Sequence, residues 1–459
     1  MSKFKINSIT DRSGYCGPVI SGVSTNNSTG CMIIPAGPTS YRGGRGRGIF
    51  ASGTTPNATR VIDVIEVAST GDATDWGDLI TTGGGFMGGA SNNNRGVYAG
   101  AFDGNDLGNR LNTIQALTMP TNGDIFDFGD LTYTTQQATG AGNETRGVYS
   151  SGYSYPLAPT TDAFQQTFYY INFATTGKMM GFGDIPTNAS SRSMNAIQTQ
   201  TRGFFCGGEG TYKSPSVQNR KITEITFATQ GSAITFGELS GESKGGASME
   251  SHTRAVVVLG GDATSPEAFK DTIEYFTMAT RGNTTDFGNA SSNTGAINDN
   301  AVTNRIRGVY HNARTSDGGA ELNTLEYITI ASTGNSVYFG DLNTPFSSCA
   351  SGTVSSQTRA VIAGGRNPAN VNTIESVEIA SKGNTTRFGE MTVSRGIQHC
   401  NTDSVRGVIS GGRPTDSSSN VNSMEFIQIM TQGNGVDFGD LVAATANGFD
   451  TVSSAHGGL

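Results

Sequence analysis

Short apolar runs, bounded by glycine and small polar residues, recur along the whole chain. Four of them read "RGFFCGG", "RAVVVLGG", "RAVIAGG" and "RGVISGG", each beginning with arginine and ending in glycine. Runs of this length are typical of β-strands, and no stretch keeps the 3.6-residue apolar period of a helix over several turns. The pattern therefore predicts an all-β protein of short strands joined by tight turns.

These runs belong to a repeat. An aromatic residue followed by glycine returns about every 50 residues, with an arginine upstream of it in every copy. The aromatic positions are Trp76, Phe128, Phe182, Phe236, Phe287, Phe339, Phe388 and Phe438, and the arginines are Arg47, Arg95, Arg146, Arg202, Arg254, Arg307, Arg359 and Arg406. Eight copies of this length predict a repeat architecture.

Each copy contains four predicted strands, which in the last copy are "SRGIQHCN", "RGVIS", "NSMEFIQIMT" and "GVDFGDL". The third strand is apolar on both alternating faces, which indicates a sheet covered on both sides. Four-stranded units stacked face to face in this way fit the blades of a β-propeller. We expect the recurring aromatic to fill the space between blades, and the glycine after it to allow close packing or a bulge.

The first copy lacks its own first strand, whereas residues 442–459 follow the last complete copy and resemble one. The sequence thus predicts an eight-bladed propeller of four-stranded antiparallel blades over residues 45–459, in which the C-terminal tail 442–459 completes the first blade. Residues 1–44 form an extended N-terminal segment outside the ring. Docking of this segment on the ring and use as an anchor on a partner both remain open.

The Gly-Gly that ends the second strand, the aromatic on the fourth strand and the "SR" that opens the first resemble kelch repeats, although phenylalanine replaces the usual tryptophan in every copy except at Trp76. The lines "TIEYFTMATRGNTTDFGN" and "TLEYITIASTGNSVYFGD" look like kelch-like repeats of structural proteins in tailed bacteriophages, particularly marine and cyanobacterial ones. The opening "FKINSITDRSGYCGPVI" is similar to N-terminal segments of phage fibre and virion proteins.

This resemblance implies a non-enzymatic virion structural protein, associated with the tail, neck or a fibre and synthesised in the host cytoplasm. It would present loops for assembly contacts with other virion proteins or for attachment to a host-surface glycan. Self-association into a homo-oligomer is compatible with the sequence. The alternative that we keep is a propeller enzyme acting on carbohydrate, with its catalytic residues scattered over several blades.

The composition of the chain argues against several classes of partner and site. The net charge of −8 argues against nucleic acid, which requires a basic face. The N-terminus has no continuous apolar region typical of a signal peptide, and no apolar run is long enough to span a bilayer, so we expect no membrane insertion. The five cysteines show no repeated spacing and no Cys-x-x-Cys pair, so the sequence predicts no disulfide framework or zinc site.

No catalytic residue, metal site or cofactor is predicted. The four histidines fall in different copies and in different slots, at His252, His311, His399 and His456. No phosphate-binding loop and no Gly-x-Ser-x-Gly elbow is present. The candidate binding residues are Tyr153, Tyr155 and Tyr212, because they lie in long connections between second and third strands, where a rigid scaffold can present recognition residues.

The repeated arginine has two interpretations. An acid or amide follows each aromatic-glycine pair, at Asp78, Asp130, Asp184, Glu238, Asn289, Asp341, Glu390 and Asp440. We expect each arginine to pair with the acid of its repeat, which would leave Arg254 the least tightly paired because its copy carries Asn289. In the other interpretation, the arginines face the central channel and bind an anionic glycan.

Overall fold

The computed structural model describes most of residues 47–453 and, before them, only residues 24–25 and 32–33. The longer segments that it leaves undescribed within the ring are 82–87, 119–124, 155–162, 186–194, 209–218, 263–267, 295–300, 313–321, 344–350, 415–419 and 445–449. The described part is all-β and contains no helix, and therefore no helix long and apolar enough to cross a membrane.

Eight four-stranded antiparallel sheets make up the ring, which confirms the predicted eight-bladed propeller. The strands, from first to fourth, are as follows: blade 1, Asp450–Ser453, Arg47–Ala51, Val61–Glu66 and Thr74–Asp78; blade 2, Gly88–Ser91, Arg95–Asp103, Asp106–Thr118 and Phe126–Asp130; blade 3, Gly140–Gly142, Arg146–Tyr149, Thr167–Asn172 and Met180–Asp184; blade 4, Asn195–Gln198, Arg202–Cys206, Lys221–Thr226 and Ile234–Glu238. Blade 5 contains Ala247–Glu250, Arg254–Val258, Lys270–Thr277 and Thr285–Thr294; blade 6, Ala301–Thr303, Arg307–His311, Thr324–Thr329 and Val337–Asp341; blade 7, Ser351–Ser355, Arg359–Gly364, Thr373–Glu378 and Thr386–Glu390; blade 8, His399–Thr402, Arg406–Ser410, Ser423–Gln428 and Val436–Asp440.

The C-terminal strand closes the ring as predicted. Asp450–Ser453 pairs antiparallel with Arg47–Ala51, with Gly48 opposite Ser453 and Ala51 opposite Asp450. The free edge of the second strand of blade 1 is thereby paired, as closure of a β-ring requires.

Hydrophobic clusters fill the interfaces between neighbouring blades. The described core consists of eight clusters, each made of side chains from two consecutive blades. The cluster at the seam between blades 8 and 1 includes Phe50, Val408 and Phe438, all buried. Since a third strand lies between two such interfaces, both of its faces are apolar, as the sequence indicated.

The first strand of the last copy was predicted to begin too early. Arg395–Gly396, which the prediction placed in that strand, pairs instead with Arg413–Pro414, and the first strand is His399–Thr402. The reason is that the Arg395 side chain is fully buried in a polar network described below, which draws this part of the connection away from the sheet. The other short strands are Ser24–Thr25 with Met32–Ile33, Thr54–Thr55 with Asn57–Ala58, Thr135–Gln136 with Tyr153–Ser154 and Ala163–Phe164, and Arg366–Asn367 with Ala369–Asn370.

The ring has two different faces. We call turn face the side that carries the connections between first and second strands and between third and fourth strands, and loop face the side that carries the remaining connections. On the loop face, the glycine pairs that end second strands have positive φ, at Gly207 and Gly208, Gly364 and Gly365, and Gly411 and Gly412. These conformations favour glycine, and they produce the tight turn that the Gly-Gly motif predicts.

Candidate functional site

The aromatic-glycine motif forms the contact between a fourth strand and the next blade. Phe287 is buried, and its carbonyl accepts a hydrogen bond from Gly334 N of blade 6 at 2.7 Å. A Cβ on Gly288 would lie 2.4 Å from the backbone of Gly334, so the close approach requires glycine. The third strand of blade 5 has a register shift between Ile273 and Glu274, opposite this glycine. The motif therefore serves both close packing and a bulge.

The same contact closes the ring. Gly71 of blade 1 donates to the carbonyl of Phe438 in blade 8 at 2.6 Å, and Ala73 N donates to Asp440 O at 2.8 Å. A Cβ on Gly439 would lie 2.4 Å from Gly71. The seam between the last and first blades thus uses the same backbone contacts as the seams inside the chain.

The predicted pairing of each repeat arginine with the acid of its repeat is wrong. Arg359 lies opposite Glu378 at the end of the third strand, whereas Glu390 lies opposite Thr373 at its start. These ends are about 17 Å apart at 3.3 Å per residue, so the two side chains lie near opposite faces of the ring. Where the structure records ion pairs, Arg47 pairs with Glu66, Arg202 with Glu224 and Arg359 with Glu378.

Seven of the eight repeat arginines, all except Arg47, donate a recorded hydrogen bond to a backbone carbonyl of the next blade. Arg254 Nη1 donates to the carbonyl of Ile330 in blade 6 at 2.9 Å, and its guanidinium lies 4.3 Å from the ring centre of Tyr275. Arg254 is therefore well held, which overturns the expectation drawn from Asn289. The corresponding donations run from Arg95 to Thr175, Arg146 to Phe227, Arg202 to Met278, Arg307 to Ile379, Arg359 to Ile429 and Arg406 to Val67.

A second recurring contact between blades was not predicted from the sequence. A buried acid or amide on the third strand accepts the backbone N–H of the residue that lies three positions after the glycine of the aromatic-glycine pair in the preceding blade. The acceptor and donor residues are Asp63 with Val442, Gln115 with Ile80, Glu274 with Ser240, Glu326 with Ser291, Glu375 with Asn343, and Glu425 with Thr392. Blades 3 and 4 carry Tyr169 and Thr223 at this position instead.

A sequence signal accompanies three of these acids. In blades 5, 6 and 7 a hydroxyl residue follows ten positions later and donates to the carboxylate, from Thr284 to Glu274, Ser336 to Glu326 and Thr385 to Glu375. The corresponding residue of blade 1 is Ala73. A glutamate paired at this spacing with serine or threonine would have revealed the buried acids.

The most densely bonded of the acids is Glu326, at the seam between blades 5 and 6. Its carboxylate accepts from Tyr310 Oη at 2.9 Å, from Asn312 Nδ2 at 2.6 Å, and from the hydroxyls of Ser291 and Ser336. Glu326 is fully buried, and these donors occupy its lone pairs. The arrangement fixes the loop side of the seam and leaves the carboxylate no lone pair with which to act as a base.

Asp63 occupies the same position at the closing seam with fewer donors. Val442 N donates to Oδ1 at 3.1 Å. Burial raises the pKa of Asp63 to about 7; the bond from Val442 opposes this rise, and nearby Asp75 adds to it. The closing seam therefore contains a carboxyl group that titrates near neutral pH.

A buried ion pair joins the connection after blade 7 to the third strand of blade 8. Arg395 Nη2 donates to Glu425 Oε1, and Nη1 donates to Ser423 O at 2.7 Å and Gly411 O at 3.1 Å. Burial lowers the pKa of Arg395, while the Glu425 carboxylate opposes this shift. Removing one partner of such a pair would leave an uncompensated buried charge, which is strongly destabilising.

The other candidate chemical groups are dispersed. His311 is buried and its Nε2 donates to Leu322 O at 2.9 Å; burial lowers the pKa of His311 to about 4. His252 is exposed in a turn of blade 5. Burial raises the pKa of the thiols of Cys206 and Cys400, the latter to about 12, so neither is a reactive thiolate at neutral pH. Among the described residues, no group of three or more His, Cys, Asp or Glu is placed to hold a metal ion.

Of the three candidate tyrosines, Tyr153 lies in the short strand Tyr153–Ser154, whose neighbours are Thr135–Gln136 and Ala163–Phe164. This three-stranded sheet stands on the loop face, beside blades 2 and 3. Tyr155 and Tyr212 lie outside the described residues, as does His456. The binding role of the tyrosines stays a prediction.

No protein-family model matches the sequence, and no curated protein matches it. Among solved structures, the chain is similar to one titled "Structure of YjhT", with 12% sequence identity and a TM-score of 0.44. The alignment covers 67% of this chain and 99% of that chain. The assignment of this chain to the eight-bladed β-propellers comes from its own sheet order.

Proposed function

We propose that the chain is a non-enzymatic structural component of a tailed-phage virion. In this role a stiff disc, located at the tail, the neck or a fibre, presents loops for assembly contacts or for attachment to a host-surface glycan. The observation that carries the proposal is the use of the repeated charged residues. Arginines and buried acids bridge consecutive blades, and the same backbone contacts recur at the closing seam.

The charged groups thus contribute to rigidity, which a scaffold requires. Each buried carboxylate or guanidinium that spans two blades must lose its bonds before the blades can separate, and an unpaired buried charge is costly. The biological context comes from the repeat sequence, which resembles that of phage structural proteins. A rigid ring that holds its loops at fixed positions suits multivalent contact with neighbouring proteins or with a repetitive glycan.

The loop face varies between blades far more than the ring does. The connection between second and third strands covers residues 104–105 in blade 2, 207–220 in blade 4 and 150–166 in blade 3. Such variation on a regular scaffold is typical of recognition surfaces. We therefore propose that the loop face makes the contacts that differ between partners.

The deciding experiment is quantitative mass spectrometry of purified particles from a phage that encodes the chain. The proposal expects the chain in a constant ratio to the major capsid protein after repeated density-gradient purification. Absence of the chain from purified particles, or a ratio that falls with every purification step, would overturn it.

A parallel assay addresses the carbohydrate-enzyme alternative. The purified chain is incubated with a panel of bacterial surface polysaccharides, and reducing ends and released sugars are measured. We expect no turnover above that of a heat-denatured control. Turnover that persists through purification would replace the structural role with the enzymatic one.

A further inference from the structure

Three exposed apolar side chains lie on the turn face of blades 6 and 8. Ile306 is 70% exposed, Val405 is 62% exposed and Met430 is 56% exposed. Ile306 and Val405 each precede the repeat arginine, a slot that holds threonine in blades 3, 4, 5 and 7, at Thr145, Thr201, Thr253 and Thr358. These two blades therefore depart from the polar residue that the repeat otherwise places in this turn.

The three residues lie in one sector of the ring, formed by blades 6, 7 and 8. Met430 belongs to blade 8, but its sulfur accepts a hydrogen bond from Thr358 Oγ1 of blade 7 at 3.8 Å. Ile306 and Val405 occupy the corresponding turns of blades 6 and 8, on the two sides of Thr358. We call Ile306, Val405 and Met430 the apolar sector.

The chain enters the ring beside this sector. Its first blade strand begins at Arg47, on the turn face, and Arg47 pairs with Glu66. Arg406, the residue after Val405, donates to the carbonyl of Val67, the residue after Glu66, at 3.1 Å. Residues 1–46 are therefore attached to the turn face next to the apolar sector.

Charge separates this N-terminal segment from the ring. Residues 1–46 contain five basic residues and one acid, a net charge of +4. Because the whole chain has 30 basic and 38 acidic residues, residues 47–459 carry 25 and 37, a net charge of −12. Opposite net charges favour contact between the segment and the ring.

The segment also has apolar side chains and sufficient reach. Its longest apolar run is Cys31-Met32-Ile33-Ile34. Ile34 lies thirteen positions before Arg47. An extended chain of this length spans about 40 Å, whereas stacked sheets are about 10 Å apart, so the run can reach two blades away.

We propose that the apolar sector is the docking site of the chain's own N-terminal segment, residues 1–46, held by its apolar run and by the attraction between its positive charge and the acidic ring. This inference does not depend on the proposed function. It assigns the turn face to intramolecular contact and leaves the loop face for other molecules.

Cysteine cross-linking tests the proposal on the full-length chain, because the segment carries Cys16 and Cys31. The test variant is Val405→Cys, and the matched control is Thr201→Cys, an exposed residue in the same slot of blade 4, across the ring from blade 8. Under mild oxidation we expect Val405→Cys to form an intrachain disulfide with Cys31 or Cys16 on the order of tenfold faster than the control. Peptide mass spectrometry identifies the bonded pair.

Equal rates in the two variants would overturn the proposal. Disulfides between two chains, with a rate that rises with protein concentration, would overturn it in favour of a second copy as the occupant.

A second measurement avoids introduced thiols. The triple variant Ile306→Thr, Val405→Thr and Met430→Thr makes the sector polar. Threonine is the residue that blades 3, 4, 5 and 7 carry before the repeat arginine. We expect cleavage of residues 1–46 by a low concentration of protease to become several-fold faster, as opening of a docked segment becomes easier, while the melting temperature of the ring stays unchanged. Unchanged cleavage would contradict the proposal even if cross-linking had been observed.

Discussion

Replacing Asp63 with asparagine should stabilise the closing seam above neutral pH. The carboxyl group is buried, and burial raises its pKa to about 7 from an ordinary value near 4. The folded state therefore holds a proton that the unfolded state releases at lower pH. Stability that is fully present below pH 4 is lost as the pH rises to 7, and it stays constant above that. Asparagine removes this loss and keeps an oxygen that can accept from Val442 N.

The magnitude follows from the shift. At about 1.4 kcal/mol per pKa unit, burying Asp63 costs about 4 kcal/mol at pH 8, where it is ionised, and about 2 kcal/mol at pH 5, where folding must protonate it. The benefit of Asp63→Asn should therefore grow by about 2 kcal/mol between pH 5 and pH 8. For a 459-residue chain that unfolds as one unit, about 1 °C corresponds to 1 kcal/mol. The melting temperature of the variant should exceed that of the wild type by about 4 °C at pH 8 and by less at pH 5.

The assay is thermal unfolding of both proteins from pH 5 to pH 8, followed by circular dichroism. Blade 2 supports the design, because Gln115 already accepts Ile80 N at 2.6 Å with an amide at this position. The control is Glu326→Gln. Several donors converge on that carboxylate, so an amide NH₂ would face hydroxyl and N–H groups and destabilise the protein by about 2–4 kcal/mol. A constant difference between Asp63→Asn and wild type across the pH range would refute the reasoning.

Three further outcomes are expected, each checked by thermal unfolding. Removing residues 442–459 deletes the strand that pairs with Arg47–Ala51, so the melting temperature should fall by more than 5 °C; an unchanged melting curve would contradict the closure. Gly288→Ala should destabilise the seam between blades 5 and 6, because its Cβ would lie 2.4 Å from Gly334; the control Gly334→Ala has no atom within 4 Å of the new Cβ and should cost less. Arg307→Lys loses the fork that bonds Ile379 O at 3.0 Å and stacks on Tyr327, which should cost about 1–2 kcal/mol; equal stability would show that these contacts contribute little.

Blade number, strand order and ring closure were predictable because they are consequences of the repeat. Strands joined by tight turns pair with their sequence neighbours, so the period alone determines four-stranded sheets. The closing strand Asp450–Ser453 could be recognised because the first copy lacked that strand. The start of the first strand of blade 8 could not be predicted from the sequence. The buried guanidinium of Arg395 determines it through contacts with residues far along the chain.

The partner of the repeat arginine was not predictable from spacing. Spacing along the chain suggested the acid that follows the aromatic-glycine pair, but antiparallel pairing places that acid at the other end of the third strand. The true acceptor of Arg254 is a backbone carbonyl of the next blade, and carbonyls carry no sequence signal. Three of the buried acids were detectable in principle, because a glutamate followed ten positions later by serine or threonine recurs in blades 5, 6 and 7.

The pairing of Asp450–Ser453 with Arg47–Ala51 also constrains the order of events during synthesis. Asp450–Ser453 is synthesised after all the other blade strands. The second strand of blade 1 therefore keeps an unpaired backbone edge while the other blades are made. Contacts of such large sequence separation form slowly, and unpaired edges promote aggregation. Slow translation, or premature termination shortly before residue 450, should therefore favour insoluble chains over partly folded soluble ones.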